Sequence, residues 1–586
     1  MNARTRPPST SDMRLLGRLW PLARPHRRWL WVALVLTPVG VLGSLLQPVL
    51  LKTAIDEHIA TGDLDGLAAM AMLFVAVVGI GFSASALANY SLNVLGLRAL
   101  TALRRRVFTH VMAQGQRFFD TRTTGALMTR TTNDVEAVYE SLAWGAVSLL
   151  SDGLLLIGIF VAMMLLDWKL TLVSLSLAPL IVLIVDLFRR RLRALSLIIR
   201  SSLSRLNGFF AERIYGVTTV QLYGVQDRSR NAFRALSHRY LDAYRRSNWW
   251  DAGLYAIMDG MAALAVGSML WFGAAQFGDP GSVVTLGLLV AFVDYLGKIF
   301  GPIRELSGRI ATIQHAVAAL ERIFGLLDTE DPVPGGETVL GSARGDVRFD
   351  EVSFRYREGG PLVLDGVSFT MRPGEVVALV GATGSGKTTI GKLLMKQYAG
   401  YEGSIRVDGH ELREVDTADL RRHVTAVHQD VYLFDGTIRE NIALWAPAID
   451  DDRVREAARL ARADRFIAAL PAGYEHRVTE RGQNLSGGQK QLLAIARAMA
   501  RDAPIVILDE ATASVDSVTE ALVDEAIGAL LSQRTVLVIA HRLSTITKAD
   551  RILVLHHGKV VEQGTHDELM AQGGRYRLLV EVGFAI

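Results

Sequence analysis

A glycine-rich stretch at 381–388, Gly-Ala-Thr-Gly-Ser-Gly-Lys-Thr, is the clearest chemical feature of the chain. It matches the phosphate-binding pattern G-x-x-x-x-G-K-[ST] at every fixed position. An apolar run at 376–380 precedes it and a helix-like run at 390–394 follows it, as the pattern requires. Glycines let backbone N–H groups approach phosphate oxygens, and a helix N-terminus adds positive potential. The stretch therefore predicts a bound nucleotide.

Individual side chains of this loop have separate predicted tasks. Lys387 can reach the β- and γ-phosphates, and the hydroxyl of Thr388 can bind Mg²⁺. The loop alone does not indicate what the nucleotide is used for. The loop residues that we expect to contact the nucleotide are Gly381, Thr383, Gly384, Ser385, Gly386, Lys387, Thr388 and Thr389.

An aromatic residue upstream offers a further contact with a nucleotide. In the run 352–356, Val-Ser-Phe-Arg-Tyr, side chains of a strand alternate, so Phe354 and Tyr356 fall on one side. Tyr356 can be ordinary strand packing, or its ring can stack on adenine, since an aromatic face suits a purine. The sequence leaves both interpretations open.

A second motif carries a family resemblance. Leu485-Ser-Gly-Gly-Gln489 begins 98 residues after Lys387 and opens a helix-like run at 490–500. It resembles the signature motif of the ATP-binding cassette (ABC) family, and the two motifs together are far more specific than either alone. The resemblance implies that the nucleotide is ATP.

The resemblance also assigns roles to residues elsewhere in this half of the chain. Asp509 and Glu510 end the apolar run 505–508 and look like a Walker B carboxylate and a catalytic base. Gln429 resembles the Q-loop glutamine, and His541 resembles the switch histidine. In isolation, Gln429 and His541 would be read as ordinary surface or loop residues, but their order within one recognised domain favours the functional interpretation.

The implied chemistry is phosphoryl transfer to water, which depends on positioning and on charge neutralisation. Glu510 would polarise the attacking water as general base, and His541 would contact the γ-phosphate. Lys387 would act with them by holding the phosphates. The implied ligands of Mg²⁺ are Thr388 and Gln429, with Asp509 behind a water molecule.

In this family two cassettes pair head to tail, so a monomer has no complete site. The resemblance implies that Ser486, Gly487, Gly488 and Gln489 of one chain cap the ATP that the other chain holds. Every motif is intact, so two copies could form two working sites. The overall likeness to bacterial multidrug-resistance-like half-transporters, which work in pairs, slightly favours a heterodimer over a homodimer.

The elements that carry these residues occupy only part of the chain. A length of 586 residues predicts at least two domains. Half of the residues are hydrophobic and the mean hydropathy is +0.26, with the excess in about the first 300 residues. There are no cysteines, which excludes disulfides, thiolate metal sites and cysteine nucleophiles. The net charge of +4 is small, and its placement favours membrane topology over nucleic-acid binding.

Apolar segments in this first part are long enough to cross a bilayer, which takes roughly 20 residues of helix. Asp152, Asp186, Asp259 and Asp294 lie within four of them. Asp186 and Asp294 are near segment ends, whereas Asp152 and Asp259 sit deeper. Each deep aspartate either bonds neighbouring helices or lines a substrate cavity. The six predicted spans are 29–51, 67–97, 141–166, 170–188, 252–277 and 280–297.

Arginine placement predicts the orientation of these spans. Arginines crowd the segment before the first span, the segment at 98–106 and the segment at 189–193. The connections at 53–66 and 276–282 contain no lysine or arginine. Both termini and the nucleotide-binding domain are therefore expected in the cytoplasm, with the chain in a bacterial inner membrane.

Two cytoplasmic connections read as helices that continue out of the membrane. Their expected tips are the aromatic-bearing turns at 116–120 and 215–223. Each tip either belongs to a helical hairpin packed on itself or contacts the ATP-binding domain, and the sequence does not choose between these.

We therefore predict a multi-domain membrane protein. A six-helix, all-α transmembrane domain at 1–325 is followed by a linker at 326–345 and an α/β P-loop ABC domain at 346–586. The resemblance implies an exporter of a drug, lipid or peptide that hydrolyses ATP, uses Mg²⁺ and meets membrane lipid but no nucleic acid. The alternatives are an importer of an iron chelate with the same fold and a regulatory membrane protein that binds ATP without turnover. The sequence does not identify the substrate.

Overall fold

Long helices make up the N-terminal part of the chain in the computed structural model. The structure describes residues 14–15, 17–140, 147–276, 284–332, 335–509, 517–532, 534–539 and 542–582. The chain divides into two units by its internal contacts. Unit 1 is Met1–Met112 with Thr124–Thr329, and unit 2 is Ala113–Thr123 with Glu330–Ile586.

Helices account for nearly all of the described chain before residue 330. They are α1 Trp20–Ala23, α2 Arg27–Thr53, α3 Leu64–Met112, α4 Gln116–Asp120, α5 Thr124–Thr129, α6 Val135–Glu140, α7 Val147–Leu166, α8 Trp168–Leu175, α9 Ala178–Tyr215, α10 Val217–Leu222, α11 Gln226–Gln276 and α12 Leu286–Leu327. A 3₁₀ turn, Arg24–His26, and two π-helical turns, Ala54–Ile59 and Arg130–Asp134, join some of them.

Six of these helical segments, counted over the described residues, are long and apolar enough to cross a membrane. The expectation of six apolar helices is confirmed. Their extents are Trp20–Ile59, Leu64–Met112, Leu149–Leu166, Trp168–Tyr215, Gln226–Ala275 and Leu286–Ile303.

The described helices differ in extent from the predicted spans, and for two of the spans the cause is a local sequence signal. The sixth was expected at 280–297, but α12 begins at Leu286 because Thr285 is its N-cap and accepts a hydrogen bond from the Leu288 amide. The fourth was expected to be continuous over 170–188, but it breaks between α8 and α9. Pro179 lies in the first turn of α9. Because proline has no backbone N–H, it cannot donate the hydrogen bond that would continue the helix from α8.

Glycines set the close approach of α2 and α3. A Cβ on Gly43 would lie 2.8 Å from the Cα of Gly81, and a Cβ on Gly40 would lie 2.2 Å from the Oγ of Ser85. Small residues at such contacts let the helix backbones approach closely. Inside a bilayer the hydrophobic effect does not drive helices together, so close van der Waals packing stabilises their contact. A mixed apolar cluster, including Met163 from α7, packs around α12.

Unit 2 is built on strands and shorter helices. Its strands are β1 Val347–Phe354, β2 Leu364–Met371, β3 Val376–Val380, β4 Glu402–Val407, β5 His410–Glu411, β6 Val424–Val427, β7 Gly436–Thr437, β8 Arg477–Val478, β9 Ile505–Asp509, β10 Thr535–Ile539, β11 Arg551–His556 and β12 Lys559–Gly564. Its helices after residue 330 are α13 Lys387–Leu394, α14 Thr417–His423, α15 Ile438–Ala443, α16 Asp451–Leu460, α17 Asp464–Ala469, α18 Gly487–Arg501, α19 Ser517–Leu531, α20 Leu543–Ile546, α21 His566–Gln572 and α22 Arg575–Glu581.

Two main sheets form the core of unit 2. Strands β2-β1-β4-β5 make an antiparallel sheet, and β12-β11-β3-β10-β9-β6 make a second sheet. Within the second sheet β11, β3, β10, β9 and β6 run parallel. All five residues of β3 are buried, as expected of a central parallel strand covered on both faces. The fold is therefore an α-helical membrane part followed by an α/β domain, as predicted.

The division into units differs from the predicted boundaries at 325 and 346. Helix α12 continues to Leu327, so the first residues of the predicted linker are helical. Unit 2 also takes in Ala113–Thr123, which the sequence alone assigned to the membrane domain. The reason is a set of contacts within unit 2, among them a hydrogen bond of 2.8 Å from the Gly115 amide to the Asp331 carbonyl.

Candidate nucleotide-binding site

The glycine-rich loop connects β3 to α13 with a backbone that only glycine tolerates. Gly384 has φ +82° and Gly386 has φ +107°, both in the left-handed region. A Cβ on Gly381 would lie 2.3 Å from the Leu555 carbonyl oxygen, and one on Gly386 would lie 3.0 Å from the Val363 carbonyl oxygen. The loop therefore forms a narrow cradle whose walls are backbone.

Lys387 is the first residue of α13 and its side chain folds back over this loop. Its Nζ donates to the carbonyl oxygens of Gly381, at 2.6 Å, and Ala382, at 3.1 Å. Burial lowers the pKa of the Lys387 ammonium, and the nearby Asp509 carboxylate opposes that shift. A phosphate group at the loop would give this ammonium an anionic partner in place of the two neutral carbonyl oxygens.

Ser385 and its neighbours test whether the loop fits a phosphate group. The Ser385 side chain is buried, and within the described part of the chain its Oγ has no hydrogen-bond partner. A buried hydroxyl without a partner is costly, and a phosphate oxygen at this loop would satisfy it. Thr388 and Thr383 are exposed at the open side of the cradle, whereas Thr389 is buried. These residues fit the triphosphate of a nucleotide.

The parallel strands bring the other predicted site residues to the same edge of the sheet. Ile539 of β10 lies opposite Leu379 of β3 and opposite Asp509, the last residue of β9. The outer strand β6 pairs with β9, and the exposed Gln429 follows it by two residues. Since carboxyl ends of parallel strands share one edge, the glycine-rich loop, Asp509 and Gln429 lie along a common rim.

Tyr356 lies just beyond the end of β1 and beside the loop helix. Its hydroxyl is 3.0 Å from the Oγ1 of Thr389, and its ring makes edge contacts with Phe354 and Tyr398. Lys392 Nζ lies 5.8 Å from the ring centroid. These contacts are those of a packed aromatic residue, and stacking on adenine stays a prediction.

The motif at 485–489 forms the N-terminus of α18. Ser486 is the N-cap, and its Oγ accepts from the Gln489 amide while the Gln489 side chain accepts from the Ser486 amide, a reciprocal capping box. Ser486 and Gly487 are exposed, whereas Leu485 and Gly488 are buried. The motif therefore presents a well-ordered, positively polarised helix end to solvent.

Two predicted site residues lie outside the described residues. They are Glu510, which follows Asp509 at the end of β9, and His541, which follows β10. The roles of the catalytic base and the switch histidine stay predictions.

Comparisons with known proteins decide the family. The family description "ABC transporter transmembrane region" matches residues 30–303, and "ABC transporter" matches residues 364–513. The ABC transporter ATP-binding protein YknV of Bacillus subtilis (strain 168), itself uncharacterized, is 34% identical over 97% of this chain and 94% of its own length. The chain belongs to the ABC transporters. It joins a membrane region and an ATP-binding domain in one polypeptide.

Other similar proteins are exporters by name. An ATP-dependent lipid A-core flippase of Photorhabdus laumondii subsp. laumondii is 34% identical over 97% of both chains. The putative multidrug export ATP-binding/permease protein YgaD of Bacillus subtilis (strain 168) is 33% identical over 97% of this chain and 99% of its own. A bacterial Atm1-family ABC exporter solved with ATP bound has a TM-score of 0.76 and 28% identity, over 96% of this chain and 99% of that one. This ABC transporter thus has the exporter fold, a multi-pass membrane part and an ATP-hydrolysing domain.

One contact inside unit 2 of the transporter joins residues whose pairing the sequence does not predict. The hydroxyl of Tyr398, just after α13, donates a hydrogen bond to the carboxylate of Asp120 in α4. Burial and this bond raise the pKa of the Tyr398 phenol. Phe118 of α4 is buried, and the guanidinium carbon of Arg122 lies 4.2 Å from the centroid of its ring. Of the two interpretations of the 116–120 turn, the structure supports contact with the ATP-binding domain, since α4 is part of unit 2.

Proposed function

We propose that the protein is a primary active exporter that moves a hydrophobic or amphipathic substrate across the bacterial inner membrane by alternating access. The observation that carries this proposal is the glycine cradle with buried Lys387 and Ser385, in a chain whose described residues also include six helices long and apolar enough to cross a membrane. ATP hydrolysis at the rim of the parallel sheet would supply the free energy. The names of the relatives suggest a drug or a lipid as the substrate, and a peptide is the third candidate.

The proposed chemistry assigns a task to each residue of the rim. Lys387 and the loop amides hold the phosphates, and Glu510 takes a proton from the attacking water. His541 contacts the γ-phosphate and keeps the base oriented. Thr388 and Gln429 would hold Mg²⁺, with Asp509 behind a water, and the ion would neutralise charge on the phosphates. The hydroxyl and carboxylate groups of this set suit a magnesium ion.

The proposed site needs a second cassette. Ser486, Gly487 and Gly488 form an exposed helix N-terminus, which is an anion-binding element. In the proposed arrangement this end caps the ATP that a neighbouring subunit holds, and Gln489 keeps the end ordered. The likeness to paired half-transporters favours a different second subunit, in which case this chain supplies the competent Walker motifs and Glu510.

The proposed orientation puts both termini and unit 2 in the cytoplasm. Arginine-rich segments flank the spans on that side, and the connections at 53–66 and 276–282 have no lysine or arginine. This side is also where ATP is available.

Transport in proteoliposomes tests the function. We expect Mg²⁺-dependent ATP hydrolysis and ATP-dependent uptake of a fluorescent amphiphile by vesicles whose cassettes face outward. Hydrolysis without uptake of any amphiphile, drug or peptide in the panel contradicts the exporter. Complete lack of hydrolysis supports the regulatory alternative, and ATP-driven movement out of such vesicles supports the importer.

Glu510→Gln tests the proposed base. ATP binding should persist, while hydrolysis should fall by roughly 10²- to 10⁴-fold, the range expected for loss of a general base. Glu525→Gln, at an exposed residue that pairs with Arg462, is the matched control and should retain wild-type rates. The change is made in both subunits when the partner has its own competent site. Wild-type turnover of Glu510→Gln would refute the assignment.

A further inference from the structure

A polar cavity lies inside the membrane part of unit 1, among α2, α3, α7 and α12. Its volume is about 240 Å³. Apolar side chains from Val41 and Leu155 line part of it. Its polar side chains are hydroxyls and one amide, from Thr37, Ser44, Ser85, Asn89 and Ser151, and one pair of opposite charges. Polar groups within apolar helices are expensive, and by default they indicate a binding site.

The opposite charges belong to Asp152 of α7 and Arg309 of α12. The two side chains form an ion pair, and each is only about one-fifth exposed. The sequence leaves open whether Asp152 bonds neighbouring helices or lines a substrate cavity; in the structure it pairs with a residue of another helix and also lines this cavity. The pair is neutral overall, so a ligand that brings a single charge would pair with one partner and separate the other from its counter-charge. A ligand with both charges can pair with both.

The place of the pair along the helices orients such a ligand. Asp152 lies three residues into the apolar segment Leu149–Leu166, and Arg309 lies six residues past the apolar segment Leu286–Ile303. Gly40 and Ser44, in contrast, lie in the middle of α2. The cavity therefore extends from the charged end of the helices into the apolar zone, as suits a molecule with a polar head and an apolar remainder.

The volume limits what can enter. A volume of about 240 Å³ is below the roughly 300–1,000 Å³ of pockets that enclose a drug-sized ligand, so it suits a small polar head group. The remainder of a larger ligand stays outside the cavity, against helices whose surfaces are apolar. This combination selects an amphiphile.

We propose that this cavity binds the zwitterionic head group of an amphiphilic substrate, whose cation pairs with Asp152 and whose anion pairs with Arg309. The proposal rests on the exporter function proposed above and names the substrate class. The Asp152–Arg309 pair opens when the head group enters and closes when it leaves. Hydroxyls of Ser85 and Ser151 bond the remaining head-group atoms.

Calorimetric titration of the full-length transporter in maltoside micelles, without ATP, tests the proposal. The probes share an octyl chain and are used below their micellar concentrations: octylphosphocholine, octyl phosphate and octyltrimethylammonium. Free phosphocholine, which has no chain, tests whether the head group alone suffices. We expect octylphosphocholine to bind at least about tenfold more tightly than the other three probes. Equal affinities for the three octyl probes would overturn the proposal. If free phosphocholine binds as tightly as octylphosphocholine, the claim that the ligand is an amphiphile is overturned.

Single substitutions sharpen this test because each should switch the preference. Asp152→Asn removes the carboxylate that pairs with Arg309, so octyl phosphate should become the tightest ligand. Arg309→Gln removes the guanidinium that pairs with Asp152, so octyltrimethylammonium should become the tightest ligand. The double variant Asp152→Asn with Arg309→Gln removes both charges and should lose the zwitterion preference, and it serves where a single variant fails to fold. Asp186→Asn, at an exposed pair with Arg189 and Arg190, is the control and should keep the wild-type order.

These outcomes separate this inference from the exporter function. An unchanged order of affinities in all three cavity variants would overturn the head-group site while ATP hydrolysis and transport of other substrates stay intact. If the wild-type protein shows no ATP-driven transport while the variants still switch their ligand preference, the exporter function is overturned and the head-group site stands.

Discussion

Ser385 carries a prediction that separates ligand binding from folding. Its buried Oγ has no partner among the described residues, so Ser385→Ala should leave the stability of the nucleotide-free protein unchanged or slightly raised. Affinity for ATP should fall by roughly 10- to 150-fold, because a hydrogen bond to a charged group contributes about 1.5–3 kcal/mol. Thermal melts with and without ATP measure both effects.

A surface serine of the same unit is the control for Ser385→Ala. Ser532 bonds the Ala529 carbonyl at the end of α19, and Ser532→Ala should change neither quantity. A loss of nucleotide-free stability in Ser385→Ala with unchanged ATP affinity would contradict the proposed contact.

At this scale the sequence predicts contiguous motifs well and distant pairs poorly. The loop around Lys387 was predictable because glycine, lysine and threonine at fixed spacing serve one geometry. The pairing of Asp152 with Arg309 was not, since the two residues are far apart in the chain and only the fold brings them together. The packed surroundings of Tyr356 also depend on residues of other elements.

The contact between α2 and α3 gives a prediction for a whole element. Gly43→Ala places a methyl group 2.8 Å from the Gly81 Cα, so the helices must separate. Such overpacking costs about 1–3 kcal/mol. Gly79→Ala lies in α3, the helix of Gly81, has nothing within 4 Å of the added carbon and should be neutral or stabilising. Thermal denaturation in detergent compares the two, and equal stability of both variants would show that the helices do not touch there.

The bond between α4 and the rest of unit 2 gives a second prediction. Tyr398→Phe removes the donor to Asp120 and should weaken the docking of α4, so that substrate no longer stimulates hydrolysis while basal hydrolysis continues. Tyr401→Phe is a matched control, since Tyr401 is as buried as Tyr398. Its hydroxyl donates a hydrogen bond of 2.8 Å to Glu411, which lies outside α4. ATPase rates with and without substrate measure the effect. Loss of stimulation in both variants, or in neither, would contradict a specific role of α4.

Element types followed from the sequence more readily than element ends. Hydropathy predicts the six membrane-capable helices of the described chain, because about 20 apolar residues are needed to cross a bilayer. The start of α12 depends on its N-cap, Thr285, and the break before α9 depends on Pro179. Both are local signals, and a prediction based on apolar segments alone does not take them into account. The docking of α4 needed long-range contacts, which no local pattern contains.

For the whole molecule, the change in composition near residue 300 predicted a membrane part followed by an α/β part. The chain nevertheless does not divide at a single point, because Ala113–Thr123 belongs to unit 2. This segment is joined through the chain to the helices of unit 1 at both of its ends. In the proposed cycle, movement of the cassettes reaches the membrane helices through this segment.

The arrangement of subunits can be tested through the signature motif. Ser486→Asp keeps an N-cap residue as good as serine but puts a negative charge where a neighbour's phosphate would lie. Thr565→Asp makes the same change at the capping box of α21 and serves as control, with unchanged hydrolysis expected. In a heterodimer whose partner has a degraded site, Lys387→Ala should abolish hydrolysis while Ser486→Asp leaves most of it, because the competent site takes its signature from the partner. Equal loss in both variants, with one subunit type in a denaturing mass measurement, would establish a homodimer instead.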